Sequence, residues 1–208
     1  MKALFVLLAV ACRFAIAADA DPVKVPHVEP GDCWTYRAEG LTNREAISSY
    51  EECITFVDPG KDLILATARI NGGEREIETS YSSDWGGIVS IDGLIVPGGL
   101  RYFRFPMRVG DSYSIDVEFR LAVLGAFAGR TKYDIKVVGW EDVTVPAGTF
   151  RALRLEAQGT VYRYDLRGSG KLSSTLWYSP EVRRWIKSDF SSSARGFRRE
   201  LVQFRLNQ

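Results

Sequence analysis

Tyr113-Ser114-Ile115-Asp116-Val117-Glu118-Phe119-Arg120-Leu121 alternates without a break, apolar at odd positions and polar at even ones. A period of two puts all five apolar side chains on one face of an extended strand, whereas a helix would scatter them around its circumference. Outward from this stretch the pattern recurs. Tyr133, Ile135 and Val137 alternate with Lys132, Asp134 and Lys136, and Val202, Phe204 and Leu206 alternate with Gln203 and Arg205. Between such runs lie reversal signals at short spacing: Asp58-Pro59-Gly60, Asn71-Gly72-Gly73, Pro97-Gly98-Gly99, Val109-Gly110-Asp111, Pro146-Ala147-Gly148 and Gly168-Ser169-Gly170. Many short, half-polar strands joined by tight turns predict a mostly β fold, an antiparallel sheet curled into a partial or closed barrel. At most one short helix is expected, around residues 42–49. A fainter pattern is an echo: Pro30-Gly31-Asp32-Cys33-Trp34-Thr35-Tyr36 has the outline of Val109-Gly110-Asp111-Ser112-Tyr113-Ser114-Ile115, each a Gly-Asp turn launching an aromatic-led strand.

The chain begins Met1-Lys2-Ala3-Leu4-Phe5-Val6-Leu7-Leu8-Ala9-Val10-Ala11, one positive charge followed by an apolar run, with Ala15-Ile16-Ala17 as a small-x-small cleavage site. This is the pattern of a secretory signal peptide over residues 1–17, leaving 18–208 as a single β-rich domain, exported to the periplasm or secreted. The run is too short for a spanning helix, which needs about 20 apolar residues, so no transmembrane span is expected. Ala9-Val10-Ala11-Cys12 loosely resembles a lipobox, which makes a lipid anchor at Cys12 the alternative to soluble export.

Removal of Lys2 and Arg13 with the leader reduces the 27 basic residues to 25 against 26 acidic ones. A net charge of −1 gives no basic excess for nucleic acid. Two cysteines remain, Cys33 and Cys53, and in an oxidising compartment an even pair predicts a disulfide. The only histidine, His27, sits between Pro26 and Pro30 near the mature N-terminus. Without a second histidine there is no zinc-hydrolase set, and His27 is poorly placed to serve as the base of a nucleophilic triad. No glycine-rich phosphate loop opens a helix, so no cofactor, no metal and no catalytic residue are assigned. Paired carboxylates are the one enzymatic chemistry the composition allows, with Glu51, Glu52, Asp84 and Asp116 as candidates for a hydrolase.

Three segments resemble a recurring pattern of uncharacterised exported bacterial proteins. They are Pro106-Met107-Arg108-Val109-Gly110-Asp111-Ser112-Tyr113, then Glu141-Asp142-Val143-Thr144-Val145-Pro146-Ala147-Gly148-Thr149-Phe150-Arg151-Ala152-Leu153-Arg154-Leu155-Glu156, then Trp177-Tyr178-Ser179-Pro180-Glu181-Val182-Arg183-Arg184-Trp185-Ile186-Lys187-Ser188. The resemblance is to a domain family of unknown function in which a "VPAGTF" hairpin precedes a "WYSPEVG" turn. Where that family often has Trp this chain has Tyr113, and where Gly often follows Val it has Arg183, which removes the residue best suited to a positive φ. Around the hairpin, Phe150, Leu153 and Leu155 are expected to face the core, with a bulge after Phe150. Ser179-Pro180-Glu181 reads as a type I turn. The motifs carry strands and turns but no catalytic residues. By looser similarity the family resembles curled-sheet envelope carriers of lipids and lipoproteins, so the implied partner is a lipid or other apolar small molecule.

Two features of the residues point the same way. Leu121-Ala122-Val123-Leu124-Gly125-Ala126-Phe127-Ala128-Gly129 is an uncharged stretch at an expected hairpin tip, and soluble proteins seldom expose such area without a use for it. Tyr162, Tyr164 and Trp177 could stack on a ligand. Leu121, Leu124, Phe127, Tyr162, Tyr164 and Trp177 are therefore the candidate ligand-binding residues. The alternative is an envelope protein partner, met through an edge strand or through the basic segment from Glu181 to Arg205.

Overall fold

A computed structural model describes residues 21–42, 45–122, 127–164, 167–193 and 195–207. The leader, its cleavage site, Cys12 and Leu124 lie outside them, and of Phe127 only the backbone is described. The first six strands are β1 (Cys33–Gly40), β2 (Ala46–Asp58), β3 (Leu63–Ile70), β4 (Arg75–Tyr81), β5 (Gly87–Ile91) and β6 (Leu94–Arg101). The second six are β7 (Ser112–Leu121), β8 (Phe127–Val145), β9 (Gly148–Arg163), β10 (Gly168–Ser179), β11 (Arg184–Ser192) and β12 (Gly196–Arg205). Each pairs antiparallel with its neighbours in the chain, and β12 returns to β1, closing an up-and-down barrel. Closure gives each strand a neighbour on both sides, so no strand stands as an outer edge strand of the kind that drives edge-to-edge aggregation, although the β6–β7 seam is short.

The alternation that predicts the strands also sorts the barrel into inside and outside. On β8, Thr131, Tyr133, Ile135 and Val137 are buried while Lys132, Asp134 and Lys136 are exposed. The outer wall carries cross-strand ion pairs such as Arg130–Asp116 and Arg69–Glu76. Arg130 and Lys132 hold the Asp116 carboxyl down to about 2 by hydrogen bonding and charge. Apolar inside and charged outside is the reverse of a membrane-spanning barrel.

The Gly-Asp echo is a geometric repeat. Gly31 and Gly110 both adopt φ 94, a region open to glycine at no steric cost. In each turn the aspartate carboxylate accepts from the amide three residues earlier, Glu29 to Asp32 at 3.1 Å and Arg108 to Asp111 at 2.7 Å. Each glycine then donates to the strand after next, Gly31 to Ile54 at 2.8 Å and Gly110 to Val137 at 2.9 Å. The register agrees further along. An extra residue interrupts β2 just after Ile54 and β8 just after Val137. Another shift falls between Ser80 and Tyr81 against β5, and between Trp177 and Tyr178 against β11. The first five strands of each half thus repeat one another. The halves differ at β6, which pairs with β7 only through Leu94 with Leu121 and Ile95 with Arg120.

Several local expectations are corrected. Pro97-Gly98-Gly99 makes no reversal: it lies within β6, where Gly98 and Gly99 at φ 79 and 75 absorb a bulge between Ile95 and Leu100, and the chain turns instead at Asp92-Gly93. Gly168-Ser169-Gly170 already belongs to β10, and Arg167 at φ 47 takes the preceding turn. Residues 46–49 open β2 in place of a helix, and the single helical turn described is a 3-10 turn at Pro59–Lys61. The bulge expected after Phe150 sits across the pair, with Val138 of β8 as the extra residue. The turn between β10 and β11 lies one residue later than expected, closing from Arg183 N–H to the Pro180 carbonyl at 3.2 Å, and Arg183 takes φ 60 in place of glycine. Its ion pair with the fully buried Asp32, at 3.4 Å, helps hold it there.

The lower end, where the Gly-Asp turns lie, is plugged. Val23 exchanges both backbone hydrogen bonds with Met107 at 2.9 Å, and Val28, Phe103, Met107 and Tyr178 are buried there. The Cys33–Cys53 disulfide joins directly opposed residues of β1 and β2. With a sequence separation of 20, the chain-entropy model gives it roughly 3 kcal/mol. Urea denaturation of Cys33→Ser/Cys53→Ser should show a loss of that order. A change below about 0.5 kcal/mol would mean that the paired strands already restrain the unfolded chain.

Candidate functional site

The upper half of the barrel between β1 and β6 is not filled. Inward positions there carry small residues, Ala38, Ala68 and Thr79, where the facing half carries Tyr133, Ile135 and Leu155. The result is a cavity of about 410 Å3. Exposed Ile47 and Arg195 stand at its upper edge, and Ile70, Ile77, Ile88, Ile91 and Leu100 form an apolar wall.

The floor is polar and buried. Arg184 and Glu52, 5% and 4% exposed, form an ion pair through Nη2 and Oε2. The Tyr81 hydroxyl donates to Glu52 Oε1 at 2.5 Å and accepts from Arg184 Nη2 at 3.1 Å. The guanidinium lies 4.4 Å from the Trp85 ring centroid and 5.2 Å from that of Trp34. Burial and the Glu52 charge push the Tyr81 hydroxyl well above its ordinary value. Burial works against the Arg184 charge, but Glu52, Tyr81 and Tyr36 more than offset it and raise its pKa. Arg184 Nε is buried with no hydrogen-bond partner.

One level higher, Arg199 of β12 also lines the cavity. Its guanidinium is 4.7 Å from the Phe197 ring centroid and 5.8 Å from that of Trp185, and Tyr50 lines the same part of the wall. Burial raises the Tyr50 pKa and Arg199 opposes the rise. Glu52 is the one carboxylate among the described residues of the cavity wall.

A barrel with one half packed and the other hollow can be set beside solved structures. No family model matches the chain, and no curated protein matches it in sequence. A candidate exported protein with YmcC-like fold from Bacteroides fragilis superposes with a TM-score of 0.58 at 13% identity, over 89% of this chain and 100% of that one. The fold is YmcC-like. A candidate lipoprotein from Parabacteroides distasonis gives the same TM-score at 12% identity, again over 89% and 100%. The hypothetical lipoprotein YmcC of Escherichia coli gives 0.47 at 9% identity, over 84% and 85%.

On this YmcC-like barrel the candidate residues do not converge. Leu121 is 41% exposed at the upper end of β7. Tyr162 and Tyr164 meet each other edge to face at 5.3 Å, and Tyr164 donates to Glu118 at 3.4 Å. Trp177 lies toward the lower end, its Nε1 donating to Glu141 at 2.8 Å with Lys187 over its ring. None of these four is among the residues of the cavity wall. Of the acids, Glu52 is on the floor, Asp84 pairs with Arg101, and Asp116 is on the outer wall, while Glu51 lies beside the disulfide. His27 is at the surface against Glu29. Much of the basic C-terminal segment is already paired: Arg183 with Asp32, Arg184 with Glu52, Arg198 with Asp189.

Sequence reading offered Glu52 only among four hydrolase acids, placed Arg184 and Arg199 only in a basic segment, and missed Tyr81. For two of them a signal existed. Counting back by twos from Ile54 puts Glu52 inside, and counting back from Leu201 puts Arg199 inside.

Proposed function

We propose that this protein is an exported, cell-envelope binding protein that holds an apolar or amphipathic small molecule in the upper cavity of its barrel. The observation that carries the reading is the cavity itself. Pockets that enclose small ligands run from roughly 300 to 1,000 Å3, apolar with a few placed polar groups, and the described wall has that make-up. Export is supported by the leader-like N-terminus and by the likeness in fold to a candidate lipoprotein and a candidate exported protein.

Ala68→Phe tests it, because the inward position lets the ring enter the hollow without displacing packed atoms. N-phenyl-1-naphthylamine should fluoresce on binding the wild-type barrel. The variant should bind it at least about tenfold more weakly, a loss near 1.4 kcal/mol, while keeping its thermal transition. Equal binding by the two proteins, or none by the wild type, would end the proposal.

A further inference from the structure

The cavity wall is unbalanced in charge. Three arginines reach it, Arg184, Arg195 and Arg199, against Glu52. Glu52 is consumed by Arg184. Arg199 is half-buried and held by two rings, and no carboxylate pairs with it among the described residues. A cation withdrawn from water without a counter-charge is costly. Nothing in the strand register demands a charge there, since Arg199 sits between inward Phe197 and Leu201 and opposite Ala38. A protein that needed only a filled interior would do better with an apolar residue at that position.

Resting on the binding role proposed above, we infer that the ligand is a single-tailed anionic amphiphile, its carboxylate or phosphate head paired with Arg199. A planar guanidinium fork matches either head group. Arg195 adds positive charge at the edge through which the head passes. Across the cavity, Ile70, Ile77, Ile88, Ile91 and Leu100 offer the tail an apolar wall. The buried Nε of Arg184 is a second donor without a partner, below the head.

The test uses dodecanoate, dodecyl phosphate and dodecanol below their aggregation limits, titrated calorimetrically into wild type, Arg199→Gln and Arg199→Lys. A charge-assisted hydrogen bond predicts that wild type binds at least one of the anions roughly ten- to a hundredfold tighter than dodecanol. Arg199→Gln should erase most of that preference and leave dodecanol binding nearly unchanged, which also shows the cavity intact. Arg199→Lys should keep a preference. Preference for only one anion supports the inference and identifies the head group. Dodecanol bound as tightly as both anions, or a preference that survives Arg199→Gln, overturns the anionic inference and leaves the binding role standing. Failure of wild type to bind any of the three removes both.

Discussion

Glu52→Gln should destabilise the barrel by about 3–5 kcal/mol, the range for removing one partner of a buried ion pair. The cause is the charge left behind. Arg184 is 5% exposed, and although Glu52 no longer opposes the effect of burial, a guanidinium is basic enough to keep its proton when the carboxylate goes. The remaining stabilisation comes from the Trp85 and Trp34 faces and from the Tyr81 hydroxyl, none of which carries a full negative charge. Urea denaturation should show a lower midpoint at an unchanged slope. The double variant Glu52→Gln/Arg184→Met should recover part or all of the loss, because replacing both members of a buried pair with groups of similar size is often neutral. A single-variant loss below about 1 kcal/mol would mean that water reaches the floor and screens the pair. Recovery in the double variant separates a charge effect from a packing effect.

How the floor arises explains what could be read in advance. The strands were legible because alternation is local: Tyr133, Ile135 and Val137 declare their face within five residues. Closure of the barrel was legible only in outline, since β12 returning to β1 joins Tyr36 to Leu201, far apart in sequence. The ion pair was not legible at all. Glu52 and Arg184 are 132 residues apart, and each sits beside a like-charged neighbour, Glu51 or Arg183, that suggests a solvated face. The disulfide was legible from cysteine number alone, and direct opposition of its two strands explains why it forms.

The described ligand-binding candidates lie away from the cavity for a different reason. Exposed aromatics such as Tyr162 and Tyr164 are conspicuous in a sequence, but an outward-facing tyrosine on a closed barrel has only its own neighbours to meet. A hollow interior leaves a fainter signal, small residues at inward positions. Ala38 and Ala68 look like ordinary strand residues until the barrel sets them opposite one another's space. The repeat sharpens the contrast. Tyr81 and Tyr178 occupy equivalent positions relative to the shifts in β4–β5 and β10–β11, yet Tyr81 faces an ion pair while Tyr178 packs on Phe103 and Phe105. One fold position has become polar floor in one half and plain core in the other. That divergence leaves Tyr81 and Glu52 of the first half facing Arg184, which β11 brings to them from the second.

Trp34→Ala should cost about 3–5 kcal/mol, as for other large-to-small changes at fully buried aromatics. Trp34 is completely buried, tilted against Trp85 with centroids 5.6 Å apart, and it supports the ring on which Arg184 rests. Its Nε1 donates to the Val182 carbonyl at 2.9 Å, tying β1 to the turn between β10 and β11. Two contributions are therefore removed together, packed volume and a buried hydrogen bond. Trp34→Phe divides them, because it keeps an aromatic ring but leaves the Val182 carbonyl unpaired, at about 1–3 kcal/mol. A Phe variant as damaged as the Ala variant would assign the effect to the hydrogen bond. A Phe variant near wild type would show that the carbonyl finds water, and hence that the plug at the lower end is leaky. The same pair of variants reports on the cavity above. If Trp34 holds the floor, the Ala variant should lose selectivity for anionic over neutral dodecyl probes along with its stability, since Trp85 and Arg184 would no longer be fixed beneath the head group. Loss of stability with selectivity intact would confine Trp34 to the plug and leave the position of the floor to Glu52 and Tyr81.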